Sequence, residues 1–291
     1  MIGVLPSPLD AAELARNTLT LDDDAQAIVA RLATPPEGRR WTALATPGLD
    51  GVVFASMSQL RADVGHLDLL AVDPGARRSG LGRALVAAAE EWLRAEGAGE
   101  IRFAGNPPCY AWPGIDVRYT PAVCLAENLG YERFQTGWNM TADLTGDLTA
   151  DADVARLADH GVTVRAAPAG ERTEVAEFVR KTWNDSWAWE AEQATGCHYA
   201  ERGGEILGFA AWGSRPHWFG PMGTAEAARG LGVGRVLLRR CLAEQAATGL
   251  RSAQISWVGP THFYAKAIGA RVERVFWLYR RALGARQQEG S

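Results

Sequence analysis

One glycine-rich motif occurs twice in this sequence. Residues 77–83 read RRSGLGR and residues 229–235 read RGLGVGR, so both fit the pattern R-x-x-G-x-G-R. The second copy begins 152 residues after the first, which is about half of the 291-residue chain. A repeat with a domain-sized period is typical of a duplicated fold. The sequence therefore predicts two similar domains, residues 1–148 and 149–291.

The segments around the two motifs also match. In each half, three short apolar runs closed by Gly, Pro or Asp come first, as expected for strands, and a run with helical periodicity follows the motif. Another strand, a short helix and a closing strand complete each half. The predicted strands are 41–45, 52–58, 67–72, 101–104 and 137–144, then 197–201, 206–212, 218–224, 253–258 and 275–279. Each half is thus predicted to be an α/β (α+β) domain with a mixed, mostly antiparallel sheet flanked by helices.

The motif places several backbone N–H groups at the N-terminus of a helix. Glycines there remove side chains that would block a ligand, and the helix dipole favours an anion. One isolated copy would be equally compatible with a tight strand-to-helix turn. Two copies in matching contexts, each bracketed by arginines, favour a site for a phosphate-containing ligand.

Two familiar phosphate-binding motifs fit poorly. A Walker loop needs Lys followed by Ser or Thr after the glycines, whereas Arg83 and Arg235 stand there. A Rossmann fingerprint needs a third glycine, and this chain has Val86 and Leu238 at or near that position. Neither a P-loop nor a dinucleotide-binding fold is favoured.

Composition argues against several other classes of protein. The 30 basic and 34 acidic residues give a net charge of −4, which argues against a dedicated nucleic-acid binder. No apolar run approaches the ~18 residues of a membrane span, and the first residues lack a secretory signal pattern. The four cysteines and five histidines show no metal-ligand spacing. We therefore expect a soluble cytoplasmic protein with no metal, nucleic-acid partner or membrane partner.

The repeat, the motif and the order of elements resemble the GCN5-related N-acetyltransferase (GNAT) superfamily, whose motif is written [RQ]-x-x-G-x-[GA]. The resemblance spans nearly the whole chain as a tandem pair. It implies acetyl-CoA as the cosubstrate and a V-shaped splay between strands 218–224 and 253–258. The residues that fit the motif are Arg77, Gly80 and Gly82 in the first copy and Arg229, Gly232 and Gly234 in the second.

The same resemblance implies which residues hold acetyl-CoA. Its diphosphate would lie on amides of the second motif, and the preceding strand would pair with the pantetheine arm. The implied residues are Met222, Gly223, Thr224, Arg229, Gly230, Leu231, Gly232, Val233, Gly234 and Arg235. The equivalent residues of the first half are Leu70, Ala71, Val72, Arg77, Arg78, Ser79, Gly80, Leu81, Gly82 and Arg83.

In the superfamily that this chain resembles, a Tyr in the short helix after the fifth strand often protonates the departing thiolate. Aligning the two short helices on Gly130 and Gly269 places Tyr264 opposite Leu125, which has no proton to donate. A phenol with a pKa of about 10 is a reasonable acid for a thiolate whose parent thiol has a pKa of about 8.5. Tyr264 is therefore the predicted general acid, and the first half is predicted to be non-catalytic.

The sequence assigns no general base. The candidates are Glu226 in the motif loop, His217 before the fourth strand of the second half, and Asp185 and Glu190 in the segment where the superfamily usually meets its acceptor. Each of these is more often a solvated surface residue, and a water relay could serve instead.

The acceptor prediction rests on tryptophan, of which the chain has 11, seven of them after residue 150. Residues 183–190, WNDSWAWE, combine flat aromatic faces with carboxylates, a mixture that suits an amino sugar. Residues 113–116, 220–224, 257–260 and 275–277 resemble tandem acetyltransferases that act on glucosamine and glucosaminides. Core packing is the favoured alternative for Trp257. The candidate acceptor residues are Trp183, Asp185, Trp189, Glu190, Trp218 and Trp257.

The sequence thus predicts an N-acetyltransferase that moves the acetyl group of acetyl-CoA to glucosamine or an amino-sugar oligosaccharide. The amine attacks directly, backbone N–H groups near residues 222–224 polarise the carbonyl, and Tyr264 is the acid. Alternative acceptors are an aminoglycoside, a mycothiol-type amine and a protein N-terminus. A non-catalytic acyl-CoA sensor is the alternative from another class, and no oligomeric state is predicted.

Overall fold

The computed structural model describes residues 1–284, which form two compact units. One unit contains residues 1–137 and 275–284, and the other contains residues 138–274. Each unit is a mixed, mostly antiparallel sheet flanked by helices, so the predicted fold class is confirmed.

The elements follow the predicted order in both halves. The strands are β1 (Gly3–Val4), β2 (Trp41–Ala45), β3 (Gly51–Met57), β4 (Val64–Val72), β5 (Glu100–Phe103), β6 (Ile115–Asp116), β7 (Glu132–Asp143), β8 (Thr163–Ala166), β9 (Gly196–Arg202), β10 (Glu205–Trp212), β11 (Trp218–Thr224), β12 (Ser252–Ile255) and β13 (Arg271–Ala282). The helices are α1 (Ala12–Thr18), α2 (Ala25–Ala33), α3 (Leu81–Ala95), α4 (Thr120–Asn128), α5 (Asp151–Asp159), α6 (Arg172–Thr182), α7 (Asp185–Gln193), α8 (Val233–Ala247) and α9 (Thr261–Ile268).

The two sheets have equivalent topologies. The first unit has the strand order β1-β2-β3-β4-β5-β13, and the second has the order β8-β9-β10-β11-β12-β7. In each sheet the fourth and fifth strands, β4 with β5 and β11 with β12, are parallel, while the strands before them form antiparallel hairpins. A helix, α3 or α8, makes the crossover between each parallel pair, as a β-α-β unit requires.

The closing strands are exchanged between the repeats. Residues 140–143 of β7 pair with β12, for example Met140 with Ile255, and residues 279–282 of β13 pair with β5, for example Tyr279 with Phe103. The prediction that each closing strand completes its own half is therefore wrong. Side-chain periodicity fixes which face of a strand is buried, but the free edges of β5 and β12 offer the same backbone groups to either strand. The predicted domains 1–148 and 149–291 describe the repeat in the sequence, and these bounds stay a prediction.

The two crossover helices are fixed by apolar stripes. Leu85, Ala89 and Leu93 of α3 are fully buried, as are Leu237 and Cys241 of α8. These residues recur at four-residue spacing, which places them on one face of each helix, toward the sheet. Burying one leucine side chain contributes about 2 kcal/mol, so each stripe holds its helix, and the loop that opens it, firmly against the strands.

His66 on β4 makes the first unit sensitive to acid. Its side chain is buried, Nδ1 lies 2.9 Å from the carbonyl oxygen of Ala104, and burial lowers the pKa of His66 to about 4. The folded state therefore favours neutral imidazole, whereas the unfolded chain binds a proton below pH ~6.5. This contribution to stability is present above pH ~6.5 and is lost as the pH falls toward 4.

We expect His66→Asn to remove this acid sensitivity, because the Asn amide can replace the Nδ1–H donor and does not titrate. Between pH 7.5 and 4.5, the free energy of unfolding should fall by about 2 kcal/mol more in the unmodified chain than in the variant. Urea denaturation at both pH values measures this difference. His160→Asn, at an exposed position, is the control and should leave the pH dependence intact. Equal pH dependence in the chain and in His66→Asn would disprove the role of His66.

Candidate active site

The second glycine motif forms the turn between β11 and α8. After β11 ends at Thr224, a 3-10 turn over Glu226–Ala228 leads to Gly230 and Gly232, whose φ angles are 82° and 95°. Glycine adopts this left-handed conformation without a steric penalty, so the glycines of the motif set the path of the loop. Helix α8 begins directly afterwards at Val233, as the motif predicts.

The loop presents its amides without internal acceptors. Within residues 1–284, no carbonyl or side chain accepts a hydrogen bond from the amides of residues 230–234, although the Gly232 carbonyl accepts from Arg235 and Val236. The first N–H groups of a helix have no intrahelical partner and lie at the positive end of its dipole. This run of amides is therefore available to a diphosphate.

Gly234 allows α8 to begin close to its neighbours. A Cβ added at Gly234 would lie 3.2 Å from Thr224 Oγ1, 3.4 Å from Met222 Cε and 3.5 Å from Phe263 Cζ. The first turn of α8 thus meets the end of β11 on one side and α9 on another. A Cβ at this position would require Thr224 Oγ1 to give way by a few tenths of an ångström, so the glycine allows a close fit.

Charged side chains from α5 lie beside the loop. Asp153 accepts a hydrogen bond from Arg235 Nη2 at 2.7 Å and pairs with Arg156 Nη2 at 2.9 Å. The Arg156 guanidinium also lies 2.9 Å from the Cβ position of Gly232. The Arg235 side chain is therefore held by α5, while the Arg229 side chain is exposed. The sequence analysis missed Asp153 and Arg156, since a charged surface helix carries no phosphate-site pattern of its own.

Strands β11 and β12 diverge beside the loop. They pair in parallel at Trp218 with Gln254 and at Phe219 with Ile255. Further along β11, residues 222–224 pair with β10 on the other side. This divergence confirms the V-shaped splay, and it leaves one edge of β11 open to an extended ligand.

Tyr264 lies at the closed end of this splay. It is 7% exposed on α9, and its ring centroid is 6.3 Å from that of Phe219 and 5.0 Å from that of Phe263. Burial raises the pKa of Tyr264 above its usual value, so the phenol keeps its proton at neutral pH. Tyr264 can therefore donate a proton beside β11, but it cannot serve as a base there.

Trp183 covers β11 from the face opposite α8. Gly223 points away from Met222 and Thr224 because successive strand residues alternate faces, and a Cβ at Gly223 would collide with the six-membered ring of Trp183. The indole centroid also lies 5.5 Å from that of Phe209 and 5.9 Å from that of Trp187. Trp183 is half-buried, so part of its surface remains accessible next to the splay.

Two predicted acceptor residues, Asp185 and Trp218, differ sharply in exposure. The Asp185 side chain is 83% exposed and pairs with Arg180 Nε at 3.1 Å. Trp218 is 2% exposed, with the Arg215 guanidinium 4.6 Å from its ring centroid. The structure therefore places the Asp185 side chain in solvent and Trp218 in the core, so Trp218 has almost no surface for an acceptor.

The remaining candidates are divided between helix and loop positions. On α7, Glu190 is buried and Trp189 is half-buried. Trp257 follows β12 with a φ of 44° and is half-buried. Of the candidate bases, His217 is half-buried before β11 and Glu226 is exposed in the loop. Their placement does not single out a general base.

The first motif folds in the same way with one difference. Gly80 has a φ of 87° and α3 begins at Leu81, but the position of Gly230 is held by Arg78 with a φ of 66°. A non-glycine residue in this conformation costs about 1 kcal/mol. Arg77 Nε donates a hydrogen bond to the last carbonyl of β4 at 3.1 Å. The first loop thus keeps the backbone path of the second at a conformational cost.

Contacts of the two glycine loops show which residues of α4 and α9 occupy equivalent positions. A Cβ at Gly82 would lie 3.2 Å from Leu125 Cδ2, just as its counterpart in the second loop meets Phe263. Leu125 therefore corresponds to Phe263, and Ala126 rather than Leu125 corresponds to Tyr264. Alanine has no proton to donate either, so the expected absence of an acid at this position of the first unit is unchanged.

No helix within residues 1–284 is long and apolar enough to cross a bilayer. The same residues contain no group of three His, Cys, Asp or Glu side chains placed to hold a metal ion.

Sequence comparison matches both halves to one family. The model of the acetyltransferase (GNAT) family matches residues 15–111 and 168–270, so each match contains one glycine motif. No curated protein sequence matches the chain.

The fold is similar to several solved structures. The GCN5-related glucosamine N-acetyltransferase region of a fungal multi-domain GH3 β-N-acetylglucosaminidase matches with a TM-score of 0.76 and 16% identity over 97% of this chain and 38% of that chain. A tandem GNAT protein from the clavulanic acid biosynthesis pathway matches with a TM-score of 0.72 and 17% identity, over 98% of this chain and 99% of that chain. A GCN5-related N-acetyltransferase from Sphaerobacter thermophilus matches with a TM-score of 0.65 and 21% identity, over 97% of this chain and 95% of that chain. At these identities, the similarity establishes the fold.

Proposed function

Because the chain belongs to the acetyltransferase (GNAT) family, we propose that its second unit transfers the acetyl group of acetyl-CoA to a primary amine. The proposed acceptor is glucosamine or an amino-sugar oligosaccharide. One observation carries the proposal: a run of unbonded amides opens α8 directly beside the splayed edge of β11, and Tyr264 lies at the closed end of that splay.

The second loop fits the diphosphate of acetyl-CoA. Its amides at residues 230–234 point away from any internal acceptor, and the left-handed Gly230 and Gly232 keep side chains out of their way. The exposed Arg229 and the Arg156 guanidinium beside Gly232 add positive charge. The edge of β11 at residues 222–224 would hydrogen-bond the pantetheine arm as an added strand does.

Acetyl-CoA, when bound, supplies an acetyl group activated as a thioester. The amides near residues 222–224 would polarise its carbonyl by hydrogen bonding. Tyr264 Oη would donate a proton to the departing sulfur, and burial raises the pKa of Tyr264, so the phenol is protonated at neutral pH. The Phe219 and Phe263 rings pack edge-on against the Tyr264 ring and hold it beside β11.

The amino-sugar acceptor is supported by the aromatic wall at Trp183. This indole lies on Gly223 of the same strand whose edge would align the thioester, with part of its surface accessible. A flat ring covers the C–H face of a sugar and attracts a nearby ammonium group. The fungal region with a similar fold is described as a glucosamine N-acetyltransferase, which agrees with this acceptor class.

We expect Trp183→Ala to raise the KM for the amine about tenfold and to change the KM for acetyl-CoA by less than about twofold. The reason is that the indole contacts the acceptor side of β11 and not the phosphate loop, and losing one aromatic contact costs about 1–2 kcal/mol. Steady-state release of CoA thiol measures the KM for the amine at varied amine and saturating acetyl-CoA, and the KM for acetyl-CoA at varied acetyl-CoA and saturating amine.

Trp187→Ala is the matched control. It removes an indole from the same cluster, 5.9 Å from Trp183, whereas the atoms nearest to the Cβ position of Gly223 belong to Trp183. The KM for the amine should stay within about twofold in this variant. If Trp183→Ala and Trp187→Ala raised that constant equally, the acceptor would not lie against Trp183.

A panel of amines tests the acceptor class. The panel contains glucosamine, chitosan oligomers, an aminoglycoside, a mycothiol-type amine and a peptide with a free N-terminus, with CoA release as the readout. We expect glucosamine or its oligomers to give the highest kcat/KM. A higher kcat/KM for another amine would identify that amine as the acceptor instead. Tight acetyl-CoA binding without CoA release on any amine would identify a non-catalytic acyl-CoA sensor.

A further inference from the structure

Helix α5 lies outside the two segments that match the family model, yet it packs against α8. The Leu157 side chain of α5 is fully buried in the same core cluster as the buried face of α8. Just before α5, the carbonyl oxygen of Thr149 accepts a hydrogen bond from Arg239 Nη1 of α8 at 2.7 Å. These contacts fix α5 beside the helix that the second glycine loop opens.

The polar face of α5 meets the glycine loop itself. Arg156 Nη2 lies 2.9 Å from the Cβ position of Gly232, the left-handed residue in the middle of the unbonded amides. Asp153, one helical turn earlier, accepts from Arg235 Nη2 at 2.7 Å and pairs with Arg156 Nη2 at 2.9 Å. Asp153 therefore holds two guanidinium groups against the start of α8.

These two guanidinium groups share one carboxylate. Within residues 1–284, Asp153 is the only ion-pair partner of Arg156 and of Arg235. Two positive charges and one negative charge leave a net charge of +1 next to the amides, and the exposed Glu226 and Arg229 of the loop balance each other. The Arg156 side chain is 49% exposed, so the donors that Asp153 does not use can reach a ligand.

The first loop has no such neighbour. Gly80 corresponds to Gly232 and has a similar φ of 87°, but a Cβ at Gly80 would meet nothing within 4 Å in the described part of the chain. Two loops with the same glycine geometry thus differ in the guanidinium group that lies against one of them. The contribution of α5 is therefore separable from that of the backbone amides.

We propose that Arg156 binds the diphosphate of acetyl-CoA, which makes α5 part of the cosubstrate site of the second unit. The amides of residues 230–234 donate to some of the phosphate oxygens, and the Arg156 guanidinium donates to others. Hydrogen bonds from a planar guanidinium to a phosphate are charge-assisted and stronger than neutral ones. Asp153 is a positioning residue that holds this guanidinium in place. The role of Arg156 rests on the proposed function, which brings the diphosphate to the loop.

Calorimetric titration of Arg156→Gln with acetyl-CoA tests this role. The exposed position tolerates a neutral polar side chain, so the fold should be retained. We expect the Kd to rise about tenfold at low salt, and this ratio to fall in about 0.5 M NaCl, because salt screens a partly exposed charge pair. A Kd within twofold of that of the unmodified chain, a tighter Kd, or a ratio that salt does not change would overturn the proposal. No binding by the unmodified chain would overturn the proposed function, and the role of Arg156 with it.

Arg240→Gln is the matched control. It removes the same charge from α8 and breaks an exposed ion pair with Asp151 of α5, in which Arg240 Nη2 lies 3.4 Å from Asp151 Oδ1. Arg240 follows Gly232 by about two helical turns, so its guanidinium group is not expected to reach the loop. The Kd for acetyl-CoA should stay within about twofold. An equal rise in both variants would assign the effect to the anchoring of α5 and overturn the proposal.

Acetyl-3′-dephospho-CoA identifies the phosphate group that Arg156 contacts. This probe keeps the diphosphate and lacks the phosphate on the ribose. We expect Arg156→Gln to weaken its binding by the same factor as that of acetyl-CoA. A factor near one with this probe would place Arg156 on the ribose phosphate and overturn the assignment to the diphosphate.

Discussion

Gly232→Asp is expected to raise the KM for acetyl-CoA at least about 100-fold and to leave the KM for the amine nearly unchanged. Gly232 has a φ of 95° and lies in the middle of the run of unbonded amides. An Asp there places a carboxylate where the diphosphate would bind, and like charges at close range replace charge-assisted hydrogen bonds. Initial rates of CoA release at varied acetyl-CoA measure the change.

Gly203→Asp controls for backbone strain. Gly203 also has a positive φ, 61°, in the turn between β9 and β10, and no atom lies within 4 Å of its Cβ position. This variant carries a similar conformational cost and the same added charge, but it should keep the KM for acetyl-CoA within about twofold. Gly80→Asp then reports on the first loop: a lower binding stoichiometry would show that this loop also holds the cosubstrate. An unchanged KM for acetyl-CoA in Gly232→Asp would exclude the second loop as the binding site of acetyl-CoA.

Tyr264→Phe is expected to lower kcat about 10–100-fold, which is the usual range for loss of a general acid. The substitution removes only the hydroxyl group, so the ring contacts with Phe219 and Phe263 persist and the fold is retained. The KM for acetyl-CoA should change less than about twofold, because the loop that binds it is untouched. Steady-state kinetics with the best amine of the panel give both values.

Tyr199→Phe is the matched control for this change. Tyr199 is a buried tyrosine of β9 in the same unit, on the side of the sheet away from Tyr264. The loss of this hydroxyl group should leave kcat within about twofold of that of the unmodified chain. If kcat of Tyr264→Phe equalled that of the unmodified chain, the proton for the departing sulfur would come from elsewhere.

The sequence predicted the local parts of the fold well, because those parts are determined locally. The strand 218–224 and the helix start at Val233 follow from a short apolar run, from glycines that permit positive φ angles, and from helical periodicity. The pairing of β7 with β12 and of β13 with β5 was not predictable. Strand partners depend on non-local edges, about which a strand's own pattern carries no information.

The site was predicted in part for the same reason. Trp183 and Tyr264 have the residue types that the chemistry needs, and the structure places both against β11. Trp218 has the same aromatic character but faces the core, and composition cannot distinguish the two faces of a buried strand.

Calorimetric titration of the unmodified chain with acetyl-CoA tests the central claim most directly, which is that the second glycine loop binds this cosubstrate. The account predicts saturable heat with a micromolar Kd, and loss of that binding event in Gly232→Asp. No heat at millimolar acetyl-CoA, or an identical isotherm in the variant, would contradict it.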